Sequence, residues 1–203
     1  MLRPGVLVVG VALTALLSSG APLAAQSSSD QQTIENLRKA LTRVSDYGVF
    51  DFLTLQYEKG TVTLSGFAYQ PGLKRQVISA SRRVARVDDV VDQIVDLPAS
   101  QNDDRIRWQT FDRIYRDSPL SRYAPDGGLS RFEQELNAQQ QFLGRQPFGS
   151  YAIHIIVKGG RTLLTGVVDS ELDKRIAGFR ALDVPGTFGV ENELVVLSAN
   201  RTR

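Results

Sequence analysis

The chain has 203 residues, 42% hydrophobic and 23% charged, which suits one large soluble domain or two small ones and excludes collagen-like, wholly disordered and polytopic membrane chains. Twenty-four Lys and Arg against 22 Asp and Glu leave a formal net charge of +2, too small an imbalance for a polybasic nucleic-acid binder, so no nucleic-acid partner is expected. With no Cys and a single His, thiol catalysis, disulfides and any Cys- or multi-His metal site are excluded, and no cofactor, metal site or catalytic residue is expected.

Met1 to Ala25 carries Arg3, a mostly apolar run from Gly5 to Leu17 and then small residues, the three-part layout of a secretory signal peptide. Its apolar run is shorter than the roughly 20 residues that cross a bilayer as a helix, so cleavage before Gln26 is expected in place of a permanent anchor. No Cys follows the run to take a lipid anchor. Export without cysteine points to a periplasmic or secreted protein stabilised by packing alone.

Beyond the leader the chain repeats itself at an offset of 100 residues, without a gap, from about residue 60 to 97. Gly60 matches Gly160, Leu64 matches Leu164, Gly66 matches Gly166, Lys74-Arg75 match Lys174-Arg175, Val90 matches Val190 and Leu97 matches Leu197. The mature protein is therefore read as two related modules, residues 30–98 and 103–198, joined by the short linker Pro98 to Asn102.

In the first module, Ile34, Leu37, Leu41 and Val44 mark one face of a helix over Asp30 to Ser45, with Asp30 or Thr33 as cap. Alternation from Asp51 to Tyr57, the turn Lys59-Gly60 and a second alternation from Val62 to Gly66 make a hairpin. Helical spacing returns over Pro71 to Arg86, and Val90 to Leu97 closes the unit as a strand. The order is helix, strand, strand, helix, strand.

The second module repeats that order with a helix over Asp103 to Asp117, a hairpin over Tyr151 to Val168, a helix over Glu171 to Leu182 and a strand over Val190 to Leu197. Between its first helix and its hairpin lies an inserted segment at about 124–150. Leu129, Phe132, Leu136 and Phe142 give this segment a possible helix over Leu129 to Leu143, either an interfacial or partner-docking element or a lid over the protein's own sheets.

Gly60 and Gly160 sit at hairpin turns, while Gly66 and Gly166 lie near strand ends where a missing side chain allows close backbone approach. The strings Lys59-Gly60-Thr61-Val62-Thr63-Leu64-Ser65-Gly66 and Gly159-Gly160-Arg161-Thr162-Leu163-Leu164-Thr165-Gly166 resemble the core motif of the BON domain (bacterial OsmY and nodulation domain). Each is followed by a helix and a family-like ending, given by Gly186, Val190, Asn192 and Leu194 in the second module. In the first, Arg86 stands where the family has Gly and Asp92 where it has Asn. The resemblance implies an α+β fold of two tandem α-β-β-α-β modules, each a three-stranded mixed sheet with two helices on one face. It also implies an exported, non-enzymatic bacterial envelope protein that binds phospholipid membrane surfaces. The alternative is a protein- or peptidoglycan-binding scaffold, since sheet edges can add strands from partners.

Arg75, Arg82 and Arg86, with Arg83 nearby, fall in a narrow sector of the first module's second helix and are the candidates for contact with anionic headgroups. A solvated face is the plainer reading, because residues 26–100 hold nine basic and nine acidic side chains. His154 lies between Ile153 and Ile155 and is read as a sheet residue satisfied by its neighbours, and Trp108 and Phe111 as core.

Overall fold

The computed structural model describes residues 23–44, 46–116, 119–125 and 151–197. The leader's apolar run, the helix expected over Leu129 to Leu143 and the C-terminal tail lie outside the described residues. In the first unit, helix α1 (Leu23–Leu41) leads to strands β1 (Phe52–Glu58) and β2 (Thr61–Ala68), helix α2 (Leu73–Arg82) and strand β3 (Asp89–Asp96). The second unit holds helix α3 (Gln101–Tyr115), a 3-10 turn (Pro119–Tyr123), strands β4 (Ile153–Lys158) and β5 (Arg161–Val168), helix α4 (Glu171–Leu182) and strand β6 (Gly189–Val196).

Each unit forms its own three-stranded sheet, in order β1-β2-β3 and β4-β5-β6. The first pair is antiparallel, with Leu55 opposite Leu64 and Ile155 opposite Leu164. The second is parallel, with Leu64 opposite Asp92 and Leu164 opposite Asn192. Helices lie on the face carrying Val62 and Leu64, which pack with Leu37, Leu73 and Val77. The fold is thus α+β, a mixed sheet with two helices on one face, built twice.

Two boundaries differ from the sequence-based expectation. Helix α1 begins at Leu23, well before Asp30, because no Pro or Gly interrupts the chain between Pro22 and Gly48. Thr33, offered as a cap, sits inside the helix and its hydroxyl donates to the Ser29 carbonyl at 3.0 Å. Helix α2 ends at Arg82, short of Arg86: Val84 N–H bonds back to the Ser81 carbonyl and the chain then turns toward β3 through Arg86 at φ 70°. The second unit makes the same turn through Gly186 at φ 87°, where glycine avoids the cost of about 1–3 kcal/mol that a side chain meets there.

Gly66 and Gly166 are required by geometry. Both have positive φ, and a Cβ on either would lie 2.0 Å from a backbone oxygen of the neighbouring strand, that of Phe52 or Ala152.

The two units are not independent. Val49 and Phe50, from the loop before β1, are fully buried in the core of the second unit among Ile106, Trp108, Phe111, Ile153 and Ile155. The Phe50 ring meets Trp108 edge-on with centroids 5.4 Å apart, and Tyr69 edge-on at 5.5 Å. Asp51 shapes this loop, its buried carboxylate accepting the N–H groups of Gly48 at 3.0 Å and Tyr69 at 2.6 Å. The Val49 carbonyl accepts the Ile155 N–H at 2.9 Å and so occupies part of the edge of β4. Arg107, buried on α3, donates to Asp104 and to the Val157 carbonyl, and its guanidinium lies 4.7 Å over the Tyr69 ring.

Candidate functional site

Helix α2 turns Leu73, Val77 and Ser81 inward, which leaves its polar side to solvent. Arg75, Arg82, Arg83 and Arg86 are all exposed, but they do not share one helical sector as the spacing predicts. Arg75 and Arg82 stand on α2. Arg83 is the C-cap residue and donates to the Ser79 carbonyl and hydroxyl at 3.1 and 2.8 Å, while Arg86 lies in the left-handed turn, 3.9 Å from Asp30. Lys74, next to Arg75, is held inside the module by an ion pair with Asp92 at 2.8 Å and by the Ile94 carbonyl at 2.8 Å. The Asp92 hydrogen bond raises the Lys74 pKa above its ordinary value.

Helix α4 is started by Ser170, whose hydroxyl accepts the Asp173 N–H at 3.1 Å. Asp173 in turn accepts from Tyr123 at 2.9 Å and pairs with Arg122 at 2.6 Å, which ties the 3-10 turn to the helix start. The inward residues Ala177 and Ala181 are small and fully buried, so the helix lies close on its sheet. The outward stripe at three- and four-residue spacing is Leu172, Arg175, Phe179 and Leu182. Leu172 is 56% exposed, Phe179 69% and Leu182 56%, and Phe188 in the following turn is 75% exposed.

Between α4 and the edge strand β6 runs a groove of about 270 Å³ lined by Arg175, Gly178, Phe179, Leu182, Val190 and Asn192. Gly178 helps to form it: a Cβ there would lie 2.9 Å from Asn192 Nδ2, which donates to the Lys174 carbonyl at 2.7 Å. The equivalent positions of the first unit are Arg75, Ile78, Ser79, Arg82, Val90 and Asp92, the last paired with Lys74. The sequence reading did not single out Phe179, Leu182 and Phe188. The signal available was an apolar stripe on α4 additional to its core-facing alanines, at positions where the other repeat is polar.

His154 lies at the seam between the units, buried against the rings of Tyr47 and Phe52, with centroids 5.4 and 5.6 Å away. The Tyr47 hydroxyl stands 3.5 Å from Nε2, and the backbone of Gly48 and Asp51 faces the ring. Burial pushes its pKa down to about 4. No group of three or more His, Asp or Glu among the described residues could hold a metal ion. None of the described helices is long and apolar enough to cross a membrane.

The family model of the BON domain matches residues 29–95 and 133–198, more than half of the chain in two copies. This chain belongs to the BON domain family. The second BON match begins at Glu133, so α3 precedes it, although Ile106, Trp108 and Phe111 of α3 pack in the same core as β4 and β5. No curated protein matches the chain significantly. Among solved structures, the chain is similar to CdsD, a structural protein of the Type III secretion system of Chlamydia trachomatis, at 15% identity over 83% of this chain and 94% of that one, with a TM-score of 0.26. A structure of the CdsD C-terminal domain is similar at 15% identity over 81% of this chain and 97% of that one, with a TM-score of 0.25.

Proposed function

We propose that this BON protein is an exported envelope protein that binds and does not catalyse, and that its ligand is the surface of a phospholipid membrane. Export to the periplasm or beyond is supported by the signal-peptide layout of residues 1–25. Membership of the BON family supports a binding role in the envelope. The observation that carries the membrane reading is the exposure of Arg75, Arg82, Arg83 and Arg86 around α2 and its C-terminal turn. Each basic group near an anionic surface contributes about 1 kcal/mol, an attraction that salt weakens.

The test is co-sedimentation with neutral and anionic phospholipid vesicles at low and high salt, using the chain from Gln26. That start omits the apolar run of the leader, which would bind vesicles by itself, and both cores lie C-terminal to it. Arg82→Glu with Arg83→Glu is expected to lower affinity for anionic vesicles about tenfold or more at low salt. Unchanged sedimentation overturns the role of the arginines. The competing scaffold reading rests on the edge strands β3 and β6, which could pair with a partner's strand, and it predicts indifference to vesicles.

A further inference from the structure

We infer that the outward side of α4 is a second membrane contact of different chemistry: Phe179, Leu182 and Phe188, with Leu172, enter the interfacial layer of the bilayer while Arg175 and Arg180 stay at headgroup level. This rests on the membrane reading above and adds to it a face that binds by apolar burial.

Three observations lead to it. Four large apolar side chains, each more than half exposed, lie on one helix and the turn after it, with Phe179 and Leu182 lining the groove beside β6 and the Phe188 ring over Gly160 of the hairpin. The fold does not demand them. The other BON module places Gly72, Ser79, Arg82 and Asp88 at the matching positions and closes its sheet and helices without them.

Charges of both signs border the stripe. Arg175 lies within it and Arg180 beside Phe179, both exposed, while Glu171 at the start of the helix and Glu191 on β6 are exposed as well and Asp183 is engaged by Arg113. Phe and Leu on one side of a helix, with a long Arg among them that can reach up to the headgroups, is a pattern of elements that lie in the plane of a membrane surface, their apolar side sunk below the headgroups. Burial of that kind resists salt, whereas the arginines of α2 act through an attraction that salt screens.

The chain contains no Cys, so a single cysteine reports on one position. Phe179→Cys in the chain from Gln26 is labelled with an environment-sensitive fluorophore, and Ser79→Cys serves as the counterpart in the first module. With vesicles of mixed phosphatidylglycerol and phosphatidylcholine, the probe at position 179 is expected to shift to the blue, brighten several-fold and be quenched by acyl-brominated lipid. The probe at position 79 is expected to show no acyl quenching. If the protein sediments with the vesicles while the probe at 179 stays in water, the headgroup reading stands and the insertion face is overturned. A shift that depends on protein concentration without lipid would mean that a second copy covers the face, which also overturns it. No sedimentation at all would overturn both readings. Independently, replacing Phe179, Leu182 and Phe188 together by Ser is expected to remove at least tenfold of the vesicle affinity that survives high salt, and full retention contradicts the proposal.

Discussion

Position for position, α2 offers solvent Ser79, Arg82 and, past its end, Asp88, where α4 offers Phe179, Leu182 and Phe188. Their inward sides do the same work in both repeats, Leu73 and Val77 in one and Ala177 and Ala181 in the other closing a core over the same mixed sheet. Gly66 and Gly166 are shared for a steric reason that admits no other residue. The module constrains its inner face and its hairpin, then, and leaves the outer face of its second helix free to diverge. In a duplicated chain, the positions that match report the fold, and the exposed positions that differ point to binding.

A second contrast concerns independence. The first unit lends Val49 and Phe50 to the core of the second. Phe50→Ala is expected to cost about 3–5 kcal/mol, the usual range for emptying a buried aromatic site. Thermal unfolding should show the loss as one cooperative transition at a lower temperature. Two separate transitions, with the second unit unshifted, would show that the shared core does not couple them.

The seam also carries a pH dependence. Between about pH 6.5 and 4 the unfolded chain takes up a proton on histidine while buried His154 does not, so stability falls as pH falls through that window. The total is on the order of 3 kcal/mol, levelling off below the folded-state value. The Tyr47 hydroxyl faces the ring, and the neighbouring Asp51 carboxylate is committed to the N–H groups of Gly48 and Tyr69. His154→Phe should flatten this part of the profile, measured as the difference in unfolding free energy between variant and wild type. Parallel profiles would show that His154 titrates freely.

Two further effects sharpen the match between repeats. Gly66→Ala and Gly166→Ala should each cost more than the roughly 1–3 kcal/mol of the positive φ alone, with similar losses in both modules, because each Cβ would also run into the equivalent backbone carbonyl. Arg86→Gly, which copies the second unit's Gly186, should stabilise by up to about 1 kcal/mol by relieving the left-handed turn. Denaturant melts that leave the midpoint unchanged or lower it would show that the Arg86 side chain offsets its own strain.

Much of the fold was legible because the repeat doubled every signal. The hairpin glycines, the alternation of Val62 and Leu64 and the helical spacing of α2 and α4 each occur twice, so order and pairing follow from local pattern. The start of α1 was not, since Ala, Gln and Ser before Asp30 carry no apolar period. The seam was hidden for another reason: Val49 and Phe50 stand just before the alternation that opens at Asp51, with no local pattern of their own, and only tertiary packing sends Phe50 against Trp108. Among the site residues, the exposure of the four arginines was readable from the opposite apolar face of α2. The left-handed turn that takes Arg86 off the helix was foreshadowed only by glycine at the matching position.

The most direct test of a division between the two faces is a salt titration of vesicle sedimentation for the wild type, the Arg82→Glu/Arg83→Glu variant and the triple serine variant of α4. The expected result is that the arginine variant loses the salt-sensitive part of binding and the serine variant the salt-resistant part. If both variants lose the same part, or neither loses any, the two helix faces do not divide the membrane contact between them.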